Sequence, residues 1–346
     1  MKRFKLSVFF FLIFVSAGFA QQDAQFSQYM FNTLYYNPGF AGTEGLTRFT
    51  LLNRVQWLAY QSTQYKGSAP YSTVLSGSSL LPFFNKRLGL GVHLVNDNLG
   101  PLNNTEFQLS GSYHFKIKEG VLGVGARAGV YSTRVRTDWY RVVQENDPIY
   151  DYLTGDANNK IRQTKPDFGV GLWYQSKKFS GGVSFDHLGE TKLSYNTPSI
   201  NSKLANHLYI SGSYNFDVGP TIKVTPSAFF QTDMNQLTYL FGALGTYNEK
   251  FWVGLNARQS FAKKDVDQGG KTLSNDDIIM YVGVNLLKNK QNMNALRVGY
   301  AFDFVTNGVK AKKRTSHEIM LSYIVPTPWE LPKPKIRTPR YRHEEN

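Results

Sequence analysis

Apolar and polar positions alternate with a period of two along most of the chain. In "LGLGVHLV" (88–95), every second residue from Leu88 to Leu94 is apolar, and Gly89, Gly91 and His93 lie between them. The same alternation recurs in "VLGVGARAGVY", "DFGVGLWY" and "LRVGYAFDF". Because successive side chains of a strand point to opposite faces, each stretch predicts a strand with one apolar face and one polar or small face.

About fourteen such segments follow one another, and no linker divides them into two domains. They centre on Phe49–Trp57, Tyr71–Leu80, Leu88–Val95, Glu106–Ile117, Val121–Thr133, Asp167–Tyr174, Phe179–His187, His207–Phe216, Thr221–Gln231, Leu237–Tyr247, Phe251–Phe261, Ile278–Leu286, Leu296–Phe304 and His317–Ile324.

A water-soluble β-sandwich would also alternate, but two details favour a membrane barrel. The segments are close to the ~9–11 residues that cross a bilayer as tilted strands. Aromatic residues recur at segment ends, as at Tyr247, Phe251, Trp252 and Tyr323, which is typical of interfacial girdles. We therefore predict an all-β fold, a transmembrane outer-membrane β-barrel of about 14 antiparallel strands.

The connections predict which way the barrel faces. Those at "QSKK", "DVGP" and "NEK" are short, whereas those over about 134–166, 188–206 and 262–277 are long, with "DMNQ" as the exception. Outer-membrane barrels have short periplasmic turns and longer external loops. This rule predicts an outer-membrane location with both termini periplasmic.

Charged residues fall on the polar face of the predicted strands. Facing the lumen they can pair or be hydrated, whereas on the lipid face each would cost about 2–4 kcal/mol at mid-bilayer. We interpret them as residues that fill and brace the lumen, with an ion pathway as the alternative. They are Arg54, Glu106, Arg127, Asp167, Asp186, Lys223, Arg258, Arg297 and Asp303.

The segments outside the predicted barrel have distinct compositions. Residues 1–20 combine a basic start, an apolar core and a small-x-small end, which predicts a signal peptide. Residues 21–45 form an aromatic periplasmic or plug segment, which we expect to pack inside the barrel or against its rim because large exposed apolar side chains favour burial. There Asn37-Pro38-Gly39 is expected to turn the chain into the first strand. Residues 46–325 form the barrel, and 326–346 a Pro-rich basic periplasmic tail.

Composition excludes several functions and the motifs add none. The chain has no cysteine, which excludes disulfides and thiolate metal sites, and its net charge is +14. An exported barrel has no route to nucleic acid, so we expect the basic residues to contact lipid phosphates or acidic secreted proteins.

Ser184, Asp186 and His187 resemble a hydrolase group, but Asp186 and His187 are predicted to point to opposite faces of a strand. We predict no catalytic residue, cofactor or metal ion.

The start of the chain resembles the PorP/SprF family, outer-membrane proteins of the type IX secretion system of Bacteroidota. The resemblance continues through "GLGLGVHLVND" to the closing "HEIMLSY". One departure is Gly39, where the family usually has alanine and where glycine is expected to loosen the turn. The residues that carry the N-terminal resemblance are Gln28, Tyr29, Met30, Phe31, Asn32, Asn37, Pro38, Ala41, Gly42, Arg54, Gln56 and Trp57.

The resemblance implies a non-enzymatic role in secreting large adhesins or other cargo, including proteins of gliding motility. Expected partners are type IX components, such as periplasmic ring lipoproteins or the translocon, the cargo itself, and outer-membrane lipid. A general porin or a small hydrophobic-solute channel is the alternative, and an outer-membrane phospholipase is a third class. Candidate partner-binding residues are Tyr29, Phe31, Asn37, Pro38, Phe40, Trp57, Trp329, Lys333, Lys335, Arg337, Arg340, Tyr341 and Arg342.

Overall fold

Antiparallel strands account for most of the chain in the computed structural model, which describes residues 23–58, 69–136, 162–189, 192–194, 201–266, 272–288, 295–307 and 315–327. The strands are β1 (Thr47–Val55), β2 (Tyr71–Leu81), β3 (Leu88–Leu99), β4 (Leu102–Ile117), β5 (Gly120–Val135), β6 (Arg162–Gln175), β7 (Phe179–Asp186), β8 (Lys192–Ser194), β9 (Asn201–Lys203), β10 (His207–Tyr214), β11 (Phe216–Val218), β12 (Ile222–Thr232), β13 (Gln236–Tyr247), β14 (Phe251–Val266), β15 (Thr272–Lys288), β16 (Ala295–Asn307) and β17 (Ser316–Val325).

The strands form a closed barrel of fourteen, in which β10 and β11 count as one strand. Each strand pairs with its neighbours in sequence, and the first strand closes the ring by pairing with the last, with Thr47 opposite Val325. β11 continues β10 along the same edge of β12, so the two count as one barrel strand. The hairpin of β8 and β9 pairs only with itself, between β7 and β10. The predicted fold class is confirmed.

The two faces of each strand differ as the alternation predicted. On β3, Leu90, Val92 and Leu94 are exposed on the outer face, whereas the intervening Gly89, Gly91 and His93 are buried. The outer surface is therefore apolar and suited to lipid, and the polar face lines the lumen. No helix among the described residues is long and apolar enough to span a membrane.

The nine charged residues predicted to face inward do so. Seven are buried inside the barrel, and the other two, Lys223 and Arg297, line a cavity at one end of it.

The two ends of the barrel differ in the length of their connections. One, here called the short-connection end, carries the connections 82–87, 118–119, 176–178, 219–221 and 248–250. The other, the long-connection end, carries 56–70, 136–161 and 187–206. The connection 233–235 is short although it lies at this end, as the sequence "DMNQ" predicted. Two further exceptions were not predicted. The connection expected to be long over about 262–277 is reduced to 267–271, because β14 and β15 extend further than expected, and β3 and β4 meet at a tight turn where Gly100 has a φ of 65°.

Residues 23–46, here called the luminal segment, run through the barrel from one end to the other. They contain a 3-10 turn (Tyr29–Phe31), the short helix α1 (Thr33–Tyr36) and a second 3-10 turn (Pro38–Phe40). Asp23 lies at the long-connection end beside His207, the first residue of β10. Thr327 follows β17 at the short-connection end. The two ends of the described chain, Asp23 and Thr327, thus lie at opposite ends of the barrel.

The outward apolar band generates a stability prediction. Leu321 lies near the middle of β17 and is 42% exposed on the outer face. We expect Leu321→Arg to destabilise the barrel by about 2–4 kcal/mol because a charge at the bilayer midplane is poorly solvated. Phe83→Arg is the control, since Phe83 is 61% exposed but lies in the connection 82–87. Denaturant unfolding in lipid vesicles measures both, and equal stability of the two variants would contradict the assignment of the lipid face.

Candidate functional site

An aromatic cluster holds the luminal segment in the centre of the barrel. Phe26, Tyr29, Phe31, Tyr35 and Tyr36 are all buried. The Tyr29 and Tyr36 rings lie 4.8 and 4.7 Å from the Phe229 ring of β12, and the Phe31 ring lies 4.8 Å from the Trp252 ring of β14, between centroids. Aromatic pairs at these separations add about 0.5–1.5 kcal/mol each beyond the burial of their surface.

Glycines on the inner face of the barrel receive the backbone around Pro38. A Cβ atom at Gly39 would lie 2.8 Å from the Gly123 carbonyl oxygen and 2.9 Å from that of Gly171. A Cβ atom at Gly125 would lie 2.5 Å from the backbone of Pro38. The glycines of the predicted strands therefore allow two backbones to approach each other closely, which larger side chains on the wall would prevent.

Polar contacts fix the same part of the segment. The side-chain Nδ2 of Asn37 donates to the carbonyl oxygens of Leu172 and Val183 at 3.0 and 3.2 Å. Its side-chain Oδ1 accepts from the backbone amide of Gly39 at 2.9 Å. The His114 ring nitrogen Nε2 lies 2.8 Å from the Ala41 carbonyl oxygen.

The turn predicted at Asn37-Pro38-Gly39 is present as the 3-10 turn Pro38–Phe40, but the chain enters β1 through a later bend. It is made by Gly42 and Gly45, which have φ values of 70° and 72°. Gly39 is not among the described glycines with positive φ. Gly39 is needed for close packing against the wall, and the expectation that it loosens the turn is wrong.

A buried ion-pair cluster binds the start of the segment. Arg54 Nη2 and Arg258 Nη1 lie 2.7 and 3.0 Å from Asp303 Oδ2. The Ser27 hydroxyl donates to Asp303 at 2.7 Å and accepts from Arg258 Nη2 at 2.9 Å. The backbone amide of Ser27 donates to Glu318 at 2.7 Å. Residues of β1, β14, β16 and β17 thus converge on one serine of the luminal segment.

A second polar cluster lies across the lumen. Arg127 pairs with Asp186 and donates through Nη1 to the Tyr35 carbonyl oxygen at 2.7 Å. The Ser184 hydroxyl donates to the Tyr36 carbonyl oxygen. Ser184 therefore anchors backbone and is not placed as the nucleophile of a hydrolase group.

His187 is the centre of a third polar group, at the long-connection end. Its Nδ1 lies 2.9 Å from Asp167 Oδ2, and its Nε2 lies 2.9 Å from both carboxylate oxygens of Asp23. Burial alone would lower the pKa of His187, but Asp23 and Asp167 outweigh it and raise the pKa well above its usual value. Burial likewise opposes the charge on Asp23, and the two histidines, His187 before His207, lower its pKa.

The prediction that Asp186 and His187 point to opposite faces is wrong. His187 directly follows β7 and has a φ of 57°, which turns its side chain inward beside the strand's last residue. Both residues are buried in the lumen.

A cavity of about 470 Å³, here called the vestibule, lies at the short-connection end. Its walls combine aromatic rings with charged groups. Arg48 Nη2 pairs with Glu44 Oε1 at 2.6 Å. The side chains of Lys223 and Arg297 make no ion pair or hydrogen bond with another residue that the structure describes. The principal lining residues are Tyr29, Phe31, Phe40, Trp173, Lys223 and Arg297.

The candidate partner-binding residues fall into three groups. Tyr29, Phe31 and Phe40 are buried but border the vestibule. Asn37 and Pro38 are buried where the luminal segment contacts the barrel wall. Trp57 borders a cavity of about 240 Å³ at the opposite end. The rest, Trp329, Lys333, Lys335, Arg337, Arg340, Tyr341 and Arg342, lie outside the described residues.

Sequence reasoning missed several residues of these clusters. Ser27 and Glu318 carry no motif, and Glu318 was not among the predicted inward charges. Its position in the alternation of "HEIMLSY", between residues of the outer face, could have revealed it. Asp23, His187 and His207 are too far apart in sequence for any spacing rule to group them.

The sequence matches one family model over residues 18–323, that of the type IX secretion system membrane protein PorP/SprF. The chain belongs to the PorP/SprF family. Family and fold together place it in the outer membrane as a component of the type IX secretion system. No curated protein matches the sequence.

This PorP/SprF family member is similar to several solved outer-membrane proteins. The CymD monoaromatic hydrocarbon channel is 12% identical with a TM-score of 0.52, covering 85% of this chain and 91% of its own. A Pseudomonas aeruginosa FadL homologue is 11% identical with a TM-score of 0.48, covering 89% and 99%. Acinetobacter baumannii Omp33 is 8% identical with a TM-score of 0.42, covering 81% and 97%. At these identities the likeness to CymD shows the fold alone.

The close fit at Gly39 is testable. We expect Gly39→Ala to destabilise the folded protein by about 1–3 kcal/mol because the added methyl group would meet backbone atoms that cannot move aside. Gly111→Ala is the control, since a Cβ atom there meets nothing within 4 Å. Denaturant midpoints and proteolysis of the luminal segment report the effect, and the idea fails if both variants match the wild type.

Proposed function

We propose that this barrel supports the secretion or surface attachment of large cargo proteins, including adhesins and proteins of gliding motility. It acts without catalysis, by docking periplasmic machinery or cargo. The partners are type IX components, such as periplasmic ring lipoproteins or the translocon, and the secreted protein itself. The proposal rests on the family and on one structural observation, the occupation of the lumen by the luminal segment.

The luminal segment contacts the barrel wall on several sides. Ser27 binds residues of β1, β14, β16 and β17, while Tyr36 binds β7 through Ser184 and packs on β12 through Phe229. The vestibule and the cavity at the long-connection end share no lining residue. A barrel filled in this way is suited to holding a partner at its rim and poorly suited to conducting solutes.

The vestibule offers a docking surface with defined chemistry. Lys223 and Arg297 provide positive charge in a cavity that the rings of Phe40 and Trp173 also line. A peptide with a carboxylate and an aromatic or aliphatic side chain would complement both features. We place the short-connection end in the periplasm because short turns face that side in outer-membrane barrels. The tail 326–346 begins at the same end and would add its basic residues to the docking surface.

The alternative function is a general porin or a small hydrophobic-solute channel. The aromatic lining of the vestibule favours it, since Tyr29, Phe31 and Phe40 would contact an apolar solute. Transport would then require the luminal segment to leave its place in the lumen. The two functions therefore differ in whether the segment moves, and conductance separates them.

Charge reversal in the vestibule tests the docking function. We expect the double variant Lys223→Glu, Arg297→Glu to reduce secretion of the cognate cargo at least several-fold, because each reversal turns an attraction into a repulsion. Recovery of type IX components with the tagged barrel from its own outer membrane should fall in parallel. Lys178→Glu is the control, since Lys178 lies in the connection 176–178 at the same end but does not line the vestibule. Unchanged secretion in a folded double variant would contradict the proposal.

Removing part of the luminal segment tests occlusion. We expect the wild type to show no steady conductance in a planar bilayer, and a variant lacking residues 25–36 to conduct and to unfold at a lower temperature. The deletion removes the central rings and the ligands of Glu318 and Asp303. A wild type that conducts as well as the deletion variant would support the channel function instead.

A further inference from the structure

Three side chains converge on one point at the long-connection end of the barrel. His187 Nε2 lies 2.9 Å from Asp23 Oδ1, and His207 Nε2 lies 3.4 Å from the Asp23 backbone nitrogen. Asp23, His187 and His207 each offer one ligand atom, and these three atoms lie within 4.8 Å of one another. His187 and His207 are buried, whereas Asp23 is partly exposed.

The second ring nitrogen of each histidine is already engaged. His187 Nδ1 lies 2.9 Å from Asp167 Oδ2, and His207 Nδ1 lies 3.0 Å from the Ala205 carbonyl oxygen. Donation to these oxygens would free each Nε2 to bind an ion once the proton on His187 Nε2 is displaced. His207 Nε2 accepts from the Asp23 backbone amide at 3.4 Å, and its Nδ1 lies 3.9 Å from Asp23 Oδ2. A histidine that binds a metal ion typically donates its other ring N–H to a carboxylate or a backbone carbonyl, which fixes the tautomer and the ring.

The carboxylate behind His187 is itself held in place. Asp167 Oδ2 accepts from Gln108 Nε2 at 2.6 Å, and Asp167 Oδ1 accepts from the Phe168 amide at 3.0 Å. Asp167 therefore cannot turn away from the imidazole without losing two further hydrogen bonds. Such support of a ligand's orientation is what distinguishes a built site from a chance meeting of polar groups.

The contact between His187 Nε2 and the Asp23 carboxylate requires either a proton or a metal ion between them. A ring nitrogen lone pair 2.9 Å from two carboxylate oxygens is repelled unless a proton or a metal ion lies between them. A proton would satisfy that pair but leaves His207 Nε2 with only a long contact to the Asp23 amide. A metal ion would use all three ligands. We propose that Asp23, His187 and His207 bind a divalent transition-metal ion of the Zn²⁺ type.

The ligand set suits that ion. Two imidazoles and one carboxylate are a recurring protein ligand set for Zn²⁺, with metal–ligand distances of about 2.0–2.2 Å and a fourth position for water. The Tyr209 hydroxyl also donates to the Asp23 carboxylate. The cavity of about 240 Å³ is lined by Asp23 and gives the ion a route from the long-connection end.

Such an ion would cross-link the luminal segment to the barrel wall. Asp23 belongs to the segment, His187 follows β7, and His207 begins β10. The proposal departs from the expectation of no metal ion, and it is independent of the docking function proposed above.

Titration of the purified, full-length mature protein in detergent tests the site. After chelator treatment, we expect Zn²⁺ alone to bind with one equivalent per chain by calorimetry, and Co²⁺ to give the intense visible absorption of a tetrahedral complex. Asp23→Asn, His187→Gln and His207→Gln should each abolish saturable binding. Asp167→Asn should keep the stoichiometry but weaken the affinity about 10- to 100-fold, because it acts through His187.

Two substitutions serve as matched controls. His93→Gln removes a buried histidine that contacts one carboxylate, Glu106, and Asp97→Asn removes a buried carboxylate that borders the same small space as Asp23. Both should bind Zn²⁺ as the wild type does. Binding that persists in the three ligand variants, or that the controls abolish equally, would overturn the proposal.

A thermal measurement decides the outcome if a ligand variant does not fold. Zn²⁺ should raise the unfolding midpoint of the wild-type barrel and a chelator should reverse the rise, because an ion that binds only the folded state stabilises it. The proposal is overturned if Zn²⁺ does not change the unfolding midpoint of the wild type and shows no saturable binding. A proton would then be the bridge between His187 and Asp23.

Discussion

The binding of two adjacent backbone amides by one buried carboxylate is the contact on which the interior of this barrel depends. Glu318 Oε2 and Oε1 accept from the amides of Ser27 and Gln28 at 2.7 and 2.8 Å. Arg54 and Arg258 balance that carboxylate and Asp303. A buried charged group left without its hydrogen-bond donors costs about 1–3 kcal/mol or more. The inner wall therefore needs the luminal segment as much as the segment needs the wall.

The wall changes character along the segment. Near Ser27 it presents ionised side chains, around Tyr36 it presents aromatic rings, and beside Pro38 it presents glycines. Each zone matches the part of the segment that faces it: backbone amides and a hydroxyl, then rings, then bare backbone. This order fixes the segment's position along the barrel axis, because a shift would break the hydrogen bonds of Ser27 and the close packing beside Pro38.

The sequence predicted the barrel well because period two is a direct consequence of strand geometry, and it predicted inward charges for the same reason. The predicted β4 and β15 were shorter than the observed strands. The ends of these strands lie beyond the apolar band, where the alternation of hydrophobicity disappears although backbone pairing continues. It placed His187 wrongly because a single left-handed residue breaks the alternation. Convergence of Asp23, His187 and His207 depends on the closed barrel and has no local signal.

The contacts of the luminal segment set the order of assembly. Ser27 and Glu318 are 291 positions apart, and β17 is also the strand that seals the ring against β1. Contacts of such high sequence separation form late, because long loops must close first. The segment emerges first in synthesis yet reaches its final partners last. We therefore expect the seam between β1 and β17 to close only after the segment is enclosed, because a ring that closed earlier would exclude it.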